Sequence, residues 1–416
     1  MAWTKIRLNN NKAIMINQAA CDSRTNDDDD GMDSINDEEV NLWSGLPEDL
    51  MDRIFSCLPL TSILHLRCVC KRWNSLVQSK RFQTALARVS SPRPWFILCT
   101  MGRTSCCYDP STNKWHIIIR GPNSGRSILS PCISILAVSG SFLCLGNQVS
   151  ECKVLSICNP ITKSQRNLPR MLQVSLIHKV TMITYPESNK KWYKIMVSGE
   201  SGLPTMRSDP YSYELLTELY DSSTDSWKMC GRPLPEAKFG SDPGVWCNDH
   251  LYYCITELPY GVVVFDLKTE SWVELRVQMP SSLSSPSLVE CRGRLLMIGR
   301  LSNMDQISPA ADQTESNIPR IIIWELDVRH KEWVEIVRVP TEICRDFSVP
   351  LEIYAPFVCS GLGNHIYITT HRNPNVLVYD LWKNTWQWLP SDPFFPRRRD
   401  FHLLGFALEP RLDHCP

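Results

Sequence analysis

The chain has 416 residues, of which 43% are hydrophobic and 21% are charged. This length and apolar content predict a sizeable core, arranged as one large domain with an accessory one, and exclude disorder throughout the chain. Lys and Arg together number 44, and so do Asp and Glu, so there is no excess positive charge to hold nucleic acid or an anionic membrane. We therefore expect neither as a general partner.

The first 41 residues are polar and have no apolar period. They contain two acidic clusters, Asp27–Asp30 and Asp37–Glu39. Such a segment cannot bury enough apolar surface to offset its ordering entropy. We expect residues 1–41 to form a disordered acidic tail.

The cellular compartment follows from two further patterns. No stretch approaches the roughly 18 consecutive apolar residues of a membrane helix, and the first 20 residues lack the apolar core of a secretory signal. The 18 cysteines are too sparse for a disulfide scaffold, so we expect reduced thiols in the core. These patterns favour the cytoplasm, the nucleus or both.

Residues 42–90 have a helical pattern. Pro47 is followed by two acidic residues, which favour the first turn of a helix, and Leu50, Ile54 and Leu58 form an apolar stripe at four-residue spacing. After Pro59 the segment carries more apolar side chains than three short helices can bury among themselves. The surplus predicts docking, either onto another protein or onto the rest of this chain.

Residues 95–410 contain a repeat. An apolar run ends in an acidic residue, a short polar turn follows, and a tryptophan stands six residues after the acid. The copies are Asp109 with Trp115, Asp221 with Trp227, Asp266 with Trp272, Asp327 with Trp333 and Asp380 with Trp386, and Asn159 with Gln165 is a degenerate sixth. Successive copies are 45 to 62 residues apart, a spacing typical of propeller blades.

Each repeat predicts four strands. Two strands precede the acid-bearing strand, and the tryptophan lies on the last, as in His250 to Ile255 followed by Val262 to Phe265. The first repeat is one strand short, and Phe401 to Leu408 follows the sixth. The sequence therefore predicts a mainly β protein with a six-bladed β-propeller, closed when this late strand completes the first blade and removes the open edges.

The tryptophan repeats and glycine-led strands such as Gly293–Gly299 resemble kelch repeats, although single glycines stand where kelch blades carry two. Residues 42–90 resemble an F-box in the motifs Leu46-Pro47-Glu48-Asp49-Leu50 and Val69-Cys70-Lys71-Arg72-Trp73. Together they are similar to the plant F-box/kelch-repeat family. The resemblance implies a three-helix F-box domain at 42–90 followed by a kelch-type propeller at 95–410.

The resemblance also implies a function. F-box proteins are substrate receptors of Skp-cullin-F-box ubiquitin ligases, so the expected partners are a Skp-type adaptor, through it a cullin, and an unknown protein substrate. The positions that map onto adaptor contacts or onto the F-box core are Leu46, Pro47, Leu50, Ile54, Leu58, Pro59, Val69, Cys70 and Trp73. The sequence does not separate these two sets.

The substrate is expected on one face of the ring. The two longest insertions, Gly199 to Tyr213 and Leu301 to Pro319, both fall between the second and third strands of a blade, and recognition commonly uses such loops. Arginines of this face could bind an acidic or phosphorylated partner, although acidic residues share the loops. The candidate arginines are Arg207, Arg300, Arg345, Arg397, Arg398 and Arg399.

No catalytic residue, metal site or cofactor is expected. Cys68 and Cys70 lack two further zinc ligands nearby, and the nine histidines form no metal or nucleophile motif. The competing hypotheses are an F-box scaffold that acts without ubiquitylation and a propeller enzyme. An enzyme would need residues such as His250 and Tyr252 to converge at the central channel.

Overall fold

The computed structural model describes residues 45–89, 93–100, 105–119, 134–146, 154–185, 192–201, 215–231, 243–255, 259–301, 320–346, 356–371, 373–394, 403–412, 414 and 416. The predicted acidic tail at 1–41 lies outside these residues and stays a prediction. The described chain forms a small helical domain followed by a ring of six antiparallel sheets. The mainly β fold class is thereby confirmed.

The helical domain contains four helices: α1 Glu48–Ser56, α2 Leu60–Val69, α3 Lys71–Gln78 and α4 Lys80–Arg88. We expected three. The additional boundary lies at Ser79, whose hydroxyl accepts a hydrogen bond from the backbone N–H of Phe82 at 3.1 Å and so starts α4 as a separate helix. Phe82 is fully buried and anchors this helix in the domain core.

Each blade is a four-stranded sheet. In order from the centre of the ring outward, blade 1 contains β24 Leu403–Leu408, β1 Trp95–Thr100, β2 Ser105–Asp109 and β3 Lys114–Ile119, and blade 2 contains β4 Ser134–Ser139, β5 Phe142–Gly146, β6 Ser156–Asn159 and β7 Ser164–Asn167. In the same order, blade 3 contains β8 Val174–Thr184, β9 Tyr193–Ser201, β10 Leu215–Asp221 and β11 Ser226–Met229, and blade 4 contains β12 Val245–Cys247, β13 His250–Ile255, β14 Gly261–Asp266 and β15 Ser271–Leu275. Blade 5 contains β16 Leu283–Cys291, β17 Arg294–Leu301, β18 Arg320–Asp327 and β19 Glu332–Arg338, and blade 6 contains β20 Phe357–Leu362, β21 His365–Thr370, β22 Asn373–Asp380 and β23 Thr385–Trp388. A short helix, α5 Thr341–Asp346, follows blade 5.

Blade 1 is completed by the late strand, as the sequence predicts. β24 pairs antiparallel with β1 over six residue pairs, from Trp95 opposite Leu408 to Thr100 opposite Leu403. Its other neighbours are the innermost strands of blades 2 and 6. The ring therefore closes through backbone hydrogen bonds between strands that are about 300 residues apart in sequence.

The repeated acid is the first residue of the turn between the third and fourth strands. In all six blades Oδ1 at this position, which is asparagine in blade 2, accepts a hydrogen bond from the backbone N–H two residues later, at 2.7 to 3.0 Å. The residue four positions after the acid has a φ between 51° and 62°, which reverses the chain. These residues are Asn113, Lys163, Asp225, Glu270, Lys331 and Asn384.

The repeated tryptophan joins neighbouring blades. It pairs across the strands with the residue before the acid, and the two rings are in contact where that residue is aromatic, as in Tyr220 and Trp227 with centroids 5.3 Å apart. Its indole N–H then reaches the preceding blade: Trp115 donates to the Pro390 carbonyl at 2.7 Å and Trp227 to the Pro169 carbonyl at 2.9 Å. The Trp115 bond joins blade 1 to blade 6 at the closure.

The second-strand glycine of blade 3 is required by a close backbone approach. The innermost strand β8 shifts register between Val174 and Leu176. A Cβ on Gly199 would lie 2.1 Å from the Leu176 carbonyl oxygen, so no larger residue fits without moving the backbone.

The Trp115 bond can be tested against a matched tryptophan. The indole N–H of Trp333 in blade 5 is buried and has no partner among the described residues. Both Trp115→Phe and Trp333→Phe replace an indole by a smaller ring, but only Trp115→Phe leaves the Pro390 carbonyl at the closure without its hydrogen-bond donor. We expect Trp115→Phe to lower the free energy of unfolding by about 1–3 kcal/mol more than Trp333→Phe. Urea denaturation followed by circular dichroism measures this difference, and equal losses would contradict it.

Candidate functional site

None of the nine predicted adaptor-binding residues is buried in the helical domain. Three have large exposed apolar side chains: Leu50 is 40% exposed, Ile54 43% and Val69 61%. Pro47, Pro59 and Cys70 are also exposed, whereas Leu46, Leu58 and Trp73 are half-buried against the core. The described structure therefore leaves three large apolar side chains of this domain accessible, and we call them together the exposed stripe (Leu50, Ile54 and Val69).

The core of the helical domain uses a neighbouring stripe. Met51 and Phe55 of α1 are buried, and the Phe55 ring packs edge-on against Trp73 with centroids 5.0 Å apart. Sequence reasoning missed both residues, because Met51 and Phe55 have the same four-residue spacing as Leu50 and Ile54. Phe55 is aromatic and has a larger area to bury than Ile54, and this difference could have identified Phe55 as the core residue.

Three of the predicted residues stand at the starts of helices. Pro47, Pro59 and Cys70 are the residues immediately before α1, α2 and α3. The Pro47 carbonyl accepts from the N–H of Met51 at 3.1 Å, and the Cys70 Sγ accepts from the N–H of Trp73 at 3.4 Å. These three residues therefore mark where each helix begins, and Cys70 also caps its helix through its side chain.

Ion pairs connect the first and last helices. Arg81 of α4 contacts the Glu48 carboxylate at 2.8 Å and the buried Asp52 carboxylate at 2.6 Å, both on α1. These contacts lie on the side of α1 that faces α4. They hold the two helices together without covering Leu50 or Ile54, which remain accessible.

The helical domain packs on one face of the propeller. Leu60 and Ile63 of α2 belong to the same buried cluster as Trp95 at the start of β1 and Ile161 in the turn after β6. A cavity of about 430 Å³ lies at this junction, between α2, the end of α4, the turn after β2 and the segment that follows β24. Part of the surplus apolar surface thus packs on the propeller, and the exposed stripe is the part that does not.

The two predicted insertions leave from the opposite face. They connect β9 to β10 and β17 to β18, at the ends of the second strands, whereas the helical domain contacts the starts of second strands and the ends of third strands. Residues 202–214 and 302–319 themselves lie outside the described residues. The ends of β9 and β17, where the insertions begin, and the helical domain therefore lie on opposite faces of the ring.

The candidate arginines are only partly described. Arg207 and Arg397 to Arg399 lie outside the described residues, and Arg345 is exposed on α5. Arg300 is 2% exposed, with its guanidinium 4.3 Å from the centre of the Phe357 ring. β17 continues to Leu301 and carries Arg300 into the interface between blades 5 and 6, and its assignment to substrate binding stays a prediction.

Within the described residues, no group of three or more His, Cys, Asp or Glu is placed to hold a metal ion. None of the described helices has the length and apolar content to cross a membrane. His250 and Tyr252 lie on β13, the second strand of blade 4, with ring centroids 6.2 Å apart. Tyr252 has a pKa raised by burial, which leaves its hydroxyl protonated at neutral pH.

The described cysteines are free thiols. Burial raises the pKa of Cys99 and of Cys158 to about 12, because a thiolate would lose its hydration inside the propeller. The described cysteines Cys57, Cys68 and Cys70 are exposed on the helical domain. The buried thiols act as small core residues, since the protonated form is a poor nucleophile.

Adjacent residues of α1 allow the core and the exposed stripe to be separated experimentally. We expect Phe55→Ala to lower the free energy of unfolding of the helical domain by about 3–5 kcal/mol, because it opens a cavity in the core. Ile54→Ala should change it by no more than about 0.5 kcal/mol, because Ile54 already faces solvent. Thermal unfolding followed by circular dichroism measures both. A large loss for Ile54→Ala would place this residue in the core.

Two family models match the chain. The model described as KIB1-4 beta-propeller matches residues 107–380, and the model described as F-box domain matches residues 43–84. The first covers more than half of the 416 residues. The second covers α1 to α3 and the beginning of α4, which includes all nine predicted adaptor-binding residues.

Curated relatives have the same organisation along nearly their whole length. F-box/kelch-repeat protein At3g61590 of Arabidopsis thaliana is 28% identical, over 91% of this chain and 92% of the relative. F-box/kelch-repeat protein At5g43190 of the same plant is 26% identical, over 90% and 88%. SKP1-interacting partner 15, also of Arabidopsis thaliana, is 23% identical, over 89% and 98%. The chain therefore belongs to the KIB1-4 β-propeller family and carries an amino-terminal F-box, as in the plant F-box/kelch-repeat proteins.

Proposed function

We propose that this protein is the substrate-recognition subunit of a Skp-cullin-F-box ubiquitin ligase. The F-box binds a Skp-type adaptor, and through it a cullin, while the propeller binds a protein substrate that is ubiquitylated and degraded. The observation that carries the proposal is the exposed stripe: Leu50, Ile54 and Val69 face solvent on a domain that already has its own core. Such a receptor would act in the cytoplasm, the nucleus or both.

The energetics of the exposed stripe support a binding role. Covering three aliphatic side chains that are about half exposed would contribute on the order of 1 kcal/mol each, in addition to the contacts of their neighbours. Pro47 and Pro59, at the starts of α1 and α2, are exposed as well. The name of the relative SKP1-interacting partner 15 records an adaptor interaction for that protein and supports the same role here.

The division of the propeller into two faces supports a receptor rather than an enzyme. The F-box occupies one face, and the longest insertions are attached to the other. A substrate held there is fixed relative to the adaptor, and the ligase supplies the catalytic groups. Holding both together raises the effective concentration of substrate lysines near the transfer site.

Adaptor binding is tested most directly at Ile54. Because the side chain is exposed, Ile54→Asp should leave the fold intact while placing a carboxylate in an apolar interface. We expect affinity for a purified Skp-type adaptor to fall at least 100-fold, measured by isothermal titration calorimetry. Val328→Asp is the matched control, since Val328 is 65% exposed in the turn after β18 of the propeller. Unchanged adaptor affinity in Ile54→Asp would refute this docking surface.

Substrate recognition is tested at the insertion between β17 and β18. Replacing residues 303–318 by a Gly/Ser linker of equal length should preserve adaptor affinity and remove the substrate. The experiment is tandem purification from proteasome-blocked cells, in which a substrate is a protein captured by the wild type and by Ile54→Asp but not by the linker variant. Full retention of captured proteins by the linker variant would contradict substrate binding at this face.

Reconstitution distinguishes the ligase receptor from the F-box scaffold. A captured protein should acquire ubiquitin when wild-type receptor, adaptor, cullin and the remaining ligase components are combined, and should not when Ile54→Asp replaces the wild type. Capture without ubiquitin transfer would favour the scaffold. The enzyme hypothesis gains no support from His250 and Tyr252, which lie on a second strand rather than on the innermost strand.

A further inference from the structure

The segment that follows β24 leaves blade 1 and runs across blade 2. We call residues 409–416 the strap, of which 409–412, 414 and 416 are described. The N–H of Glu409 donates to the Gly140 carbonyl at 2.7 Å, in the turn between β4 and β5. His414 hydrogen-bonds through Nδ1 with the Ser141 hydroxyl, and both residues are buried. The strap is therefore built into blade 2 rather than lying loosely on it.

Asn159 is the residue that holds the strap. Its Nδ2 donates to the Arg411 carbonyl at 2.9 Å and to the His414 carbonyl at 2.9 Å. Its Oδ1 meanwhile accepts from the N–H of Ile161 at 2.9 Å, which is the turn contact that aspartate makes in the other five blades. A carboxylate can accept but cannot donate, so only the amide serves both the turn and the strap.

This double use explains why the second repeat is degenerate. The acid is replaced by asparagine at the one turn of the six that the strap crosses, and Asn159 is fully buried there. At the corresponding position of blade 4, Asp266 is half-buried and accepts hydrogen bonds from the backbone N–H groups of its own turn. The substitution in the repeat thus follows from a contact with residues about 250 positions away.

The other side of the strap faces the F-box. Leu412 is buried in the same cluster as Leu60 and Ile63 of α2, and Pro410 to Leu412 line the junction cavity opposite Leu58 and Leu86. Ile161, whose N–H is held by Asn159, belongs to that cluster as well. One short segment therefore contacts blade 2 through hydrogen bonds and reaches the F-box junction through Leu412.

We infer that the strap fixes the orientation of the F-box on the propeller, and that the hydrogen bonds of Asn159 hold the strap in place. Without the strap, the described connection between the two domains is the chain leading from α4 to β1 together with the direct contacts of α2. With it, the orientation of the F-box is tied to blades 1 and 2. The inference does not depend on what the exposed stripe or the insertion face binds.

The test is hydrogen–deuterium exchange on the full chain, comparing wild type with Asn159→Asp. This variant keeps the oxygen that the turn needs, removes both donors to the strap and adds charge beside two carbonyls. We expect amide exchange to become at least tenfold faster in residues 409–416 and in α2 and α4, with blades 3 to 5 unchanged. Asp266→Asn, the reverse exchange at the equivalent turn of blade 4, should leave all of these segments at the wild-type rate.

The outcomes are decisive in both directions. Faster exchange of the strap with wild-type protection of α2 and α4 would show that the strap does not fix the F-box. Unchanged exchange of the strap would show that Asn159 does not hold it. If Asn159→Asp loses protection throughout the ring, Leu412→Ala is the deciding variant, because it alters no blade turn. It should accelerate amide exchange in α2 and α4. Wild-type exchange there would refute the role of the strap in fixing the F-box. Adaptor affinity serves as an independent readout, and Asn159→Asp should leave it unchanged.

Discussion

Closure of the ring is the constraint on which the rest of this structure depends. An open set of six sheets would expose the unpaired backbone groups of β1 and would leave the first and last blades with a neighbour on one side only. Here six backbone pairs between β1 and β24 complete blade 1, and the Trp115 indole joins it to blade 6. The turn capped by the repeated Asp or Asn recurs in all six blades, and in blades 3 and 4 a tryptophan also donates to a carbonyl at the end of the blade before it.

The order of the strands within each blade gives the ring two unequal faces. The turns capped by the repeated acids are short and alike, so that face offers a regular surface on which the F-box packs. The opposite face receives the long insertions, since connections there are not limited to a four-residue turn. The separation of the F-box from the ends of β9 and β17, where the insertions begin, is thus a result of strand order, and it needs no special residues of its own.

The repeat could be predicted from sequence because its chemistry is local. The acid caps a turn two residues away, and the tryptophan lies opposite the preceding aromatic residue, so spacing alone carries the signal. The exposed stripe could not be separated from the core, because Leu50 with Ile54 and Met51 with Phe55 differ only by rotation about α1. The position of Arg300 depends on how far β17 extends and on the neighbouring blade, which the sequence of one strand does not contain.

The ribosome makes the F-box first and β24 after all the other strands, so the ring can close only near the end of synthesis. The F-box and five complete blades leave the exit tunnel before β24 does, and until then β1 has no partner on its inner side. A nascent chain can therefore present the exposed stripe while its ring is still open. A premature stop codon just before Leu403 would spare every repeated Asp–Trp unit and yet yield a ring that cannot close.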